Sequence, residues 1–366
     1  MATARGLDFL VDKQDWAKTR FAEAPVPDVA DGEVLFRVER FALTANNISY
    51  ALSGDFLGYW RFFPCEAGWG RIPVMGFGDV IRSRHAAVKE GTRCFGFYPM
   101  SRHLVIQPGA VSAAQIVDAA PHRAGLAPAY AQYLPTGGDA VYAAAREDQI
   151  LLLRGLFLTA FLADDFLAES SYRGARSILI SSASSKTAIA LAHQVKQGGR
   201  ARTIGLTSPK NVQFVRGLGC YDEVALYGEI ASLPKLPAVF VDMAGDGAVT
   251  AAVHRHFGDA LAYDCTIGAT HWSAERRSEA LPGPKPEFFF APAQIVKRSR
   301  EWGPQGFARR VAEAWTRFCD ASDAWLHVVR GRGREALSRV YQDVLAGRAH
   351  PADGHILSLQ EDATWR

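Results

Sequence analysis

Apolar and polar residues alternate along the first part of the chain with the two-residue period of half-buried strands. Glu33–Glu39 shows this alternation clearly, and Ile72–Ile81, Arg93–Phe97 and His103–Gln107 continue it between glycine and proline turns. Short strands at this spacing predict a β-rich, partly open barrel.

The pattern changes near Ala144, and helical spacing runs through Leu151–Glu169. Beyond it, short apolar runs alternate with helical segments. The predicted strands are Ser177–Ile180, Arg202–Leu206, Glu223–Leu226, Ala238–Asp242 and Asp259–Ile267, and the predicted helices are Thr187–Gln197, Pro209–Leu218 and Gly247–His256. This order predicts a parallel sheet with right-handed crossovers, whose ligands bind beyond the carboxyl ends of the strands.

The last part of the chain begins with a proline-rich connection, Pro282–Pro286. A strand is predicted at Phe288–Ala291, helices near Gly306–Phe318 and Gly333–Leu345, and a final strand at His355–Leu359.

Composition narrows the classes of protein to be considered. The 366 residues carry a net charge of +3 and are 48% apolar and 22% charged, which is ordinary for two globular domains. Arginines are scattered, and the densest stretch (Arg330, Arg332, Arg334) is predicted as a solvated loop, so a nucleic-acid partner is not expected. No signal peptide and no apolar run of 18 or more residues occurs, so no membrane association is expected. Five widely spaced cysteines without a CxxC indicate a reducing, cytoplasmic setting.

The order of these parts is similar to that of the medium-chain dehydrogenase/reductase superfamily, and more closely to its quinone oxidoreductase and enoyl reductase branches. The segments that carry the resemblance are GEVLFRVERFALTANNISYALSGDF from Gly32, IPVMGFGDVIRS from Ile72, GTRCFGFYP from Gly91, LFLTAF from Leu156 and ALSRVYQDVLAGRAHPADGHILSL from Ala336. The resemblance covers nearly the whole chain and indicates a divergent subgroup.

The resemblance implies an α/β fold with a central Rossmann domain, a doubly wound parallel sheet, at residues 146–270. Residues 1–145 and 271–366 together would form a discontinuous, β-rich GroES-like catalytic domain. Thr159, within LFLTAF, would lie beside the nicotinamide, and a homodimer is common among such proteins.

A serine-rich turn stands where the resembled family has its glycine-rich dinucleotide turn. The chain reads Ser182-Ala183-Ser184-Ser185-Lys186-Thr187, without the glycines that allow backbone to approach a pyrophosphate closely. The serine hydroxyls, the amino end of the following helix and the lysine charge would together bind phosphate. The alternative is a turn that only caps the helix.

The end of the second Rossmann strand decides the choice of cofactor. Thr207, Ser208 and Lys210 stand where an NAD site has an acidic residue, so a 2′-phosphate and hence NADPH are favoured. The alternative is an ordinary helix cap with a surface lysine. Thr266 and Ile267, at the end of a later strand, complete the predicted cofactor site.

Two positions argue against a metal. Where zinc alcohol dehydrogenases place a cysteine and a histidine, this chain has Ala45 and Phe77. A catalytic zinc needs three protein ligands and an open position, so no metal is expected.

The resembled enoyl reductases use a tyrosine in the substrate loop, and Phe56 occupies that position here. Tyr50 and Tyr59 are the predicted proton or hydrogen-bond donors, and Asn47 is predicted near the nicotinamide ribose. The alternative for each tyrosine is a half-buried packing role.

The sequence therefore predicts a zinc-independent NADPH-dependent reductase of an activated double bond (enone or enoyl thioester) or of a quinone, acting on a small apolar or acyl substrate. The alternative is a non-catalytic NADPH-binding or interaction protein on the same fold.

Overall fold

The computed structural model describes residues 5–267, 281–362 and 365. These residues form two compact units. The first joins the two ends of the chain, Met1–Leu152 with Leu326–Arg366, and the second is Leu153–Trp325. In the described ranges, no helix is long and apolar enough to cross a membrane.

The described part of the chain contains eighteen strands and seven α-helices. The strands are β1 (Arg5–Asp12), β2 (Thr19–Pro25), β3 (Val34–Leu43), β4 (Trp69–Gly70), β5 (Pro73–Ser83), β6 (Arg93–Pro99), β7 (His103–Ile106), β8 (Pro108–Val111), β9 (Ile116–Asp118), β10 (Gln132–Pro135), β11 (Ser177–Ile180), β12 (Arg202–Thr207), β13 (Glu223–Leu226), β14 (Ala238–Asp242), β15 (Leu261–Thr266), β16 (Glu287–Phe288), β17 (His327–Arg332) and β18 (Asp353–Ser358). The helices are α1 (Ala45–Leu52), α2 (Glu147–Glu169), α3 (Lys186–Gly198), α4 (Val212–Gly217), α5 (Gly247–Phe257), α6 (Ala291–Ser322) and α7 (Gly333–Leu345).

The first unit is built on a nine-stranded sheet in the order β17-β18-β3-β5-β6-β10-β9-β8, with β7 pairing β3. A second sheet has the order β2-β1-β4. The long strand β3 is buried along nearly its whole length because β5, β7 and β18 pair with it. Its side chains enter a core shared with β6, α1 and α7.

A buried charge network lies in the same unit. The Arg40 guanidinium, 1% exposed, donates to Glu39 at 2.9 Å and to Glu147 at 2.5 Å. Arg93 donates to Glu147 and Glu39 at 2.7 and 3.0 Å, and Arg330 pairs with Asp148. Desolvated charges are costly unless paired, so the network specifies how β3, β6, β17 and the start of α2 meet.

The second unit is a six-stranded sheet in the order β13-β12-β11-β14-β15-β16, with parallel pairing at each step. Strands and helices alternate from β11 to β15, as the apolar runs predict. The central strand β11 is buried along its entire length, as expected for a sheet covered on both faces. The predicted fold class, a Rossmann-type parallel sheet with a separate β-rich unit, is confirmed.

The structure differs from the sequence interpretation in two places. The segment after residue 280 up to Trp325 belongs to the second unit, because β16 pairs with β15 and Arg298 of α6 binds Asp165 of α2. The arginine-rich stretch predicted as a loop forms β17 and the start of α7. Arg330 lies in the strand because its charge is paired with Asp148.

Candidate active site

The serine-rich turn connects β11 to α3 at the carboxyl edge of the parallel sheet. Ser182 has φ of 50°, in the left-handed region that glycine usually supplies. Its amide donates to the Tyr227 hydroxyl at 3.0 Å, and the Ala183 amide donates to the Leu206 carbonyl at 3.1 Å. Because these bonds fix the backbone, the turn is made without glycine.

Gly205, on the neighbouring strand β12, has no side chain and so leaves room for the turn. A Cβ on Gly205 of β12 would lie 3.0 Å from the Ala183 Cβ and 2.8 Å from the Tyr221 ring. The Tyr221 hydroxyl donates to the Ala183 carbonyl at 2.9 Å. Ala188, one turn into α3, is fully buried. The close approach of helix and strand that a glycine-rich turn allows is therefore provided here by Gly205 and two alanines.

The amino end of α3 points into this turn. Ser185 is the N-cap, and its hydroxyl accepts from the Ala188 amide at 3.3 Å. Among the described residues, the amides of Ser184 and Thr187 have no hydrogen-bond acceptor. Lys186 is the first helical residue. The turn thus both caps the helix and presents donors beside a cation.

The end of β12 lies next to this turn. Thr207 is buried, Ser208 is half-buried and Lys210 is exposed. The Asn211 side chain donates to the Ser184 hydroxyl at 3.0 Å, so it connects the two loops. Five predicted cofactor residues, Ser182, Ala183, Ser184, Ser185 and Ser208, therefore lie on two loops joined by hydrogen bonds.

Sequence reasoning missed Tyr227, which follows β13 and reaches the serine-rich turn. Burial raises the pKa of its phenol, which therefore stays protonated at neutral pH. A tyrosine directly after a short apolar strand was the available signal, but the pairing of β13 with β12 was needed to place it.

A second missed feature is a buried carboxylate at the end of β14. Asp242 accepts hydrogen bonds from the Ser181 hydroxyl at 2.8 Å, from the Ala244 and Gly245 amides at 3.0 Å each and from the Thr250 hydroxyl at 3.2 Å. The Asp242 side chain therefore fixes the loop after β14 against the end of β11.

The other predicted cofactor residues are spread over the same unit. Thr266 is buried at the end of β15, and the Ile267 amide donates to the Asp242 carbonyl at 2.9 Å. Both therefore lie one strand away from the loop after β14. The Thr159 hydroxyl donates to the Gly155 carbonyl of its own helix at 3.2 Å.

The predicted catalytic residues all belong to the first unit. Tyr50, on α1, is 8% exposed, and Tyr59 lies half-buried in a 3₁₀ turn. Their ring centroids are 4.5 Å apart. Burial raises the pKa of both phenols well above the ordinary value of 10, and neighbouring Tyr130 raises both further.

Asn47 is buried, and its side chain forms hydrogen bonds with the backbone of Thr44 and Pro73. Its side-chain oxygen accepts from the Thr44 amide at 2.7 Å, and its amide donates to the Pro73 carbonyl at 2.8 Å. The first bond belongs to a capping box at the start of α1, and the second joins α1 to the start of β5. Phe56, at the position of the family tyrosine, is 82% exposed.

The two positions at which zinc alcohol dehydrogenases have ligands are occupied here by the apolar residues Phe77 and Ala45. Phe77 is fully buried against Phe95 and Tyr142, and Ala45 is the first residue of α1. Among the described residues, no group of three or more His, Cys, Asp or Glu side chains is arranged to hold a metal ion.

Several solved structures share this fold. CurA from Vibrio vulnificus, solved in complex with NADPH, is 12% identical with a TM-score of 0.56, over 97% of this chain and 99% of that one. The quinone oxidoreductase from Coxiella burnetii is 14% identical with a TM-score of 0.53, over 98% and 100%. A mutant form of the enoyl thioester reductase from Candida tropicalis is 13% identical with a TM-score of 0.54, over 97% and 100%.

The chain thus shares its fold with a quinone oxidoreductase and an enoyl thioester reductase, which are the two kinds of protein that the sequence resemblance indicates. It belongs to the family described as "protein of unknown function (DUF2855)", whose model matches residues 41–350. The comparison with curated proteins gave no significant match.

Proposed function

We propose that the protein is an NADPH-dependent reductase that transfers hydride, without a metal, to an activated double bond of an enone or enoyl thioester, or to a quinone. The observation that carries this proposal is the amino end of α3. It presents a lysine and two backbone donors that have no acceptor among the described residues, at the sheet edge where Rossmann-type proteins bind their ligands.

The donors of this turn fit a pyrophosphate. The Ser184 and Thr187 amides supply hydrogen bonds, Lys186 supplies a charge, and the helix dipole favours an anion at this end. Ser182 takes the left-handed conformation, and Gly205 leaves room for the turn beside β12. The serine-rich turn therefore offers donors for a pyrophosphate although it contains no glycine.

The loop after β12 fits a 2′-phosphate better than a free ribose. Thr207-Ser208-Pro209-Lys210-Asn211 contains no acidic residue to bind ribose hydroxyls. Lys210 would pair with the phosphate. In the described part of the chain the Tyr227 hydroxyl proton has no acceptor, so it is available to the same group. This donor set favours NADPH over NADH.

When bound, NADPH supplies a hydride to an electron-poor carbon. The chain's part is to place the cofactor and to stabilise the negative charge that develops on the substrate oxygen. Tyr50 and Tyr59 are phenols that stay protonated at neutral pH, so they can donate hydrogen bonds to such an oxygen. Apolar Phe77 and Ala45, at the positions of zinc ligands, support chemistry without a metal.

The first test is a titration of the purified protein with NADPH and NADH, followed by nicotinamide fluorescence. We expect micromolar NADPH binding and at least about tenfold weaker NADH binding, equal to roughly 1.4 kcal/mol. Lys186→Ala should weaken both cofactors, because the pyrophosphate is common to them, while Lys235→Ala, an exposed lysine elsewhere in the unit, should weaken neither. Failure to bind either cofactor would contradict the proposal.

A second candidate function, a non-catalytic NADPH-binding or interaction protein, is favoured by one observation. The family tyrosine is replaced by Phe56, whose exposed side chain has no proton to give. A substrate screen over enones, quinones and acyl thioesters separates the two functions. If the protein binds NADPH but none of these compounds causes its oxidation, the result would favour the non-catalytic protein.

A further inference from the structure

A buried carboxylate joins the two strands between which the winding of the parallel sheet reverses. From β11 the chain passes through α3 to β12 and β13 on one side, and it then forms β14 on the other side of β11. Doubly wound sheets bind their ligands at this switch point. The Ser181 hydroxyl, directly after β11, donates to the Asp242 carboxylate at the end of β14 at 2.8 Å. These two side chains therefore connect the loops between which a ligand would bind.

The Asp242 side chain collects hydrogen-bond donors from the loop that follows β14. Its Oδ1 atom accepts from the Ala244 and Gly245 amides at 3.0 Å each. The Ser181 hydroxyl in turn accepts from the Met243 amide at 2.8 Å and from the Ala244 amide at 3.1 Å. Asp242 is 1% exposed and Ser181 is fully buried, so water does not compete for these bonds. Since a carboxylate can only accept, three consecutive amides of the loop are turned inward.

The same bonds turn carbonyl groups of this loop outward. A trans peptide is planar, so the C=O group of one residue points opposite to the N–H group of the next, and the peptide bonds here are trans. Because the Ala244 and Gly245 amides face Asp242, the Met243 and Ala244 carbonyls face away from it. Both residues are half-buried, and neither carbonyl accepts a hydrogen bond from any residue that the structure describes. Backbone carbonyls away from water are normally paired, so these two acceptors are available to a ligand.

The two loops at the switch point thus offer opposite chemistry. The serine-rich turn after β11 presents the amides of Ser184 and Thr187, which fit phosphate oxygens. The loop after β14 presents carbonyl oxygens, which fit hydroxyl and amide hydrogens and repel a phosphate. On NADPH, the donors on the far side of the pyrophosphate from the adenosine are the hydroxyls of the nicotinamide ribose and the NH₂ group of the carboxamide.

We infer that Asp242 is a positioning residue for the nicotinamide half of NADPH, because it turns the Met243 and Ala244 carbonyls towards the hydroxyl and amide donors of that half. This inference rests on the proposed reductase function. The loops after β12, β11 and β14 follow one another across the sheet. The 2′-phosphate is assigned to the first loop and the pyrophosphate to the second, so the nicotinamide half is left for the third. Asp242 holds the loop in shape without touching the cofactor.

A fragment of the cofactor separates positioning from a general loss of structure. Adenosine 2′,5′-bisphosphate contains the phosphate-bearing half of NADPH and lacks the nicotinamide half. Asp242→Ala removes the acceptor of two loop amides, so it should weaken NADPH about tenfold and leave the affinity for adenosine 2′,5′-bisphosphate within about twofold of wild type. Calorimetric titration of the full-length protein measures both affinities. If Asp242→Ala weakens the two ligands equally, or weakens neither, the inference is overturned.

Two milder variants keep the inference testable if Asp242→Ala does not fold. Asp242→Asn retains an oxygen that can accept from the Ala244 and Gly245 amides, so its NADPH affinity should stay within about threefold of wild type. Ser181→Ala removes the acceptor of the Met243 amide and should weaken NADPH about fivefold, again without changing the affinity for adenosine 2′,5′-bisphosphate. Unchanged NADPH affinity in Ser181→Ala, or a loss in Asp242→Asn as large as in Asp242→Ala, would refute the positioning role.

Asp222→Ala is the matched control in the same unit. The Asp222 carboxylate also accepts from a backbone amide and a hydroxyl, those of Thr203 at 2.8 and 2.9 Å, but it lies at the amino end of β12. This variant should unfold at a lower urea concentration and bind NADPH as wild type does. An equal loss of NADPH affinity in Asp222→Ala and Asp242→Ala would mean that the effect is one of stability, against the inference.

The wild-type protein tests the proposed function separately. If it binds neither NADPH nor adenosine 2′,5′-bisphosphate, the reductase proposal itself is contradicted. If it binds both, and Asp242→Ala and Ser181→Ala bind NADPH as tightly as wild type, only the role of Asp242 is contradicted.

Discussion

Single side chains hold the serine-rich turn in shape without glycine. Asn211 joins the loop after β12 to Ser184, and Tyr227 accepts the amide hydrogen of Ser182, so side-chain atoms hold a turn that glycines make in other Rossmann folds. The sequence indicated the serines and lysines, because they are consecutive and lie between a strand and a helix. It did not indicate Tyr227 or Asp242, because their partners come from other strands.

The exposed lysine after β12 should determine cofactor preference. Lys210→Ala should weaken NADPH about tenfold, roughly 1.4 kcal/mol, and leave NADH nearly unchanged, because only NADPH carries the 2′-phosphate. The loss should shrink at high salt, where exposed charges are screened. Calorimetric titration at two salt concentrations measures both effects, and Lys235→Ala is the control. Equal weakening of the two cofactors would remove the case for a phosphate contact at Lys210.

At the scale of elements, hydrophobic periodicity predicted most of the second unit. β11, β13 and β14 have the predicted bounds, and α3 is one residue longer at each end than predicted. Hydrophobic periodicity did not predict strand β17, which contains two arginines. Such a strand cannot be distinguished from a solvated loop until the partner carboxylate is known.

The packing of the β11–α3 turn against β12 gives a prediction at this scale. Gly205→Ala should lower the free energy of unfolding by about 1–3 kcal/mol, because its methyl group would meet Tyr221 and Ala183 at 2.8 and 3.0 Å. It should also weaken NADPH binding, because the turn must move. Gly217→Ala, at the end of α4 and with open space around the added methyl, is the matched control. Urea unfolding and NADPH titration give the two readouts. If Gly205→Ala binds NADPH as wild type does, Gly205 does not set the shape of the turn.

At the scale of the molecule, the first unit depends on residues from both ends of the chain. β18 pairs with β3, and Arg330 from the C-terminal part meets Asp148 from the N-terminal part. The sequence implied a discontinuous unit only through its resemblance to a family, since no composition shift marks residue 326. Fewer physical signals exist for such long-range pairing because the partners, such as Phe41 and Leu357, are far apart in the sequence.

The charge network that joins these segments should make the protein sensitive to acid. Burial opposes ionisation of Glu147, but hydrogen bonds and charges from Arg93, together with Arg40, hold its pKa below the ordinary value of 4.5. A carboxylate with a lowered pKa in the folded state contributes stability above its unfolded pKa, and this contribution is lost as pH falls through the folded value. Unfolding free energy should therefore decrease below about pH 4.5. Glu147→Gln should cost about 2 kcal/mol at pH 7, because it takes one carboxylate partner from each of the guanidinium groups of Arg40 and Arg93, and should flatten the decline below pH 4.5.

Glu23→Gln is the control, because Glu23 forms exposed pairs with Arg5 and Arg334 and solvent screens them. Urea unfolding at pH 7 and pH 4 measures the dependence, and hydrogen exchange of peptides from β3 and β6 assigns it to the first unit. In wild type, these peptides should lose protection at pH 4 before peptides from β11 and β14 do, because the network lies only in the first unit. In Glu147→Gln the same peptides should already be less protected at pH 7. Equal acid sensitivity in wild type and Glu147→Gln would show that other carboxylates, and not this buried network, hold the two ends of the chain together.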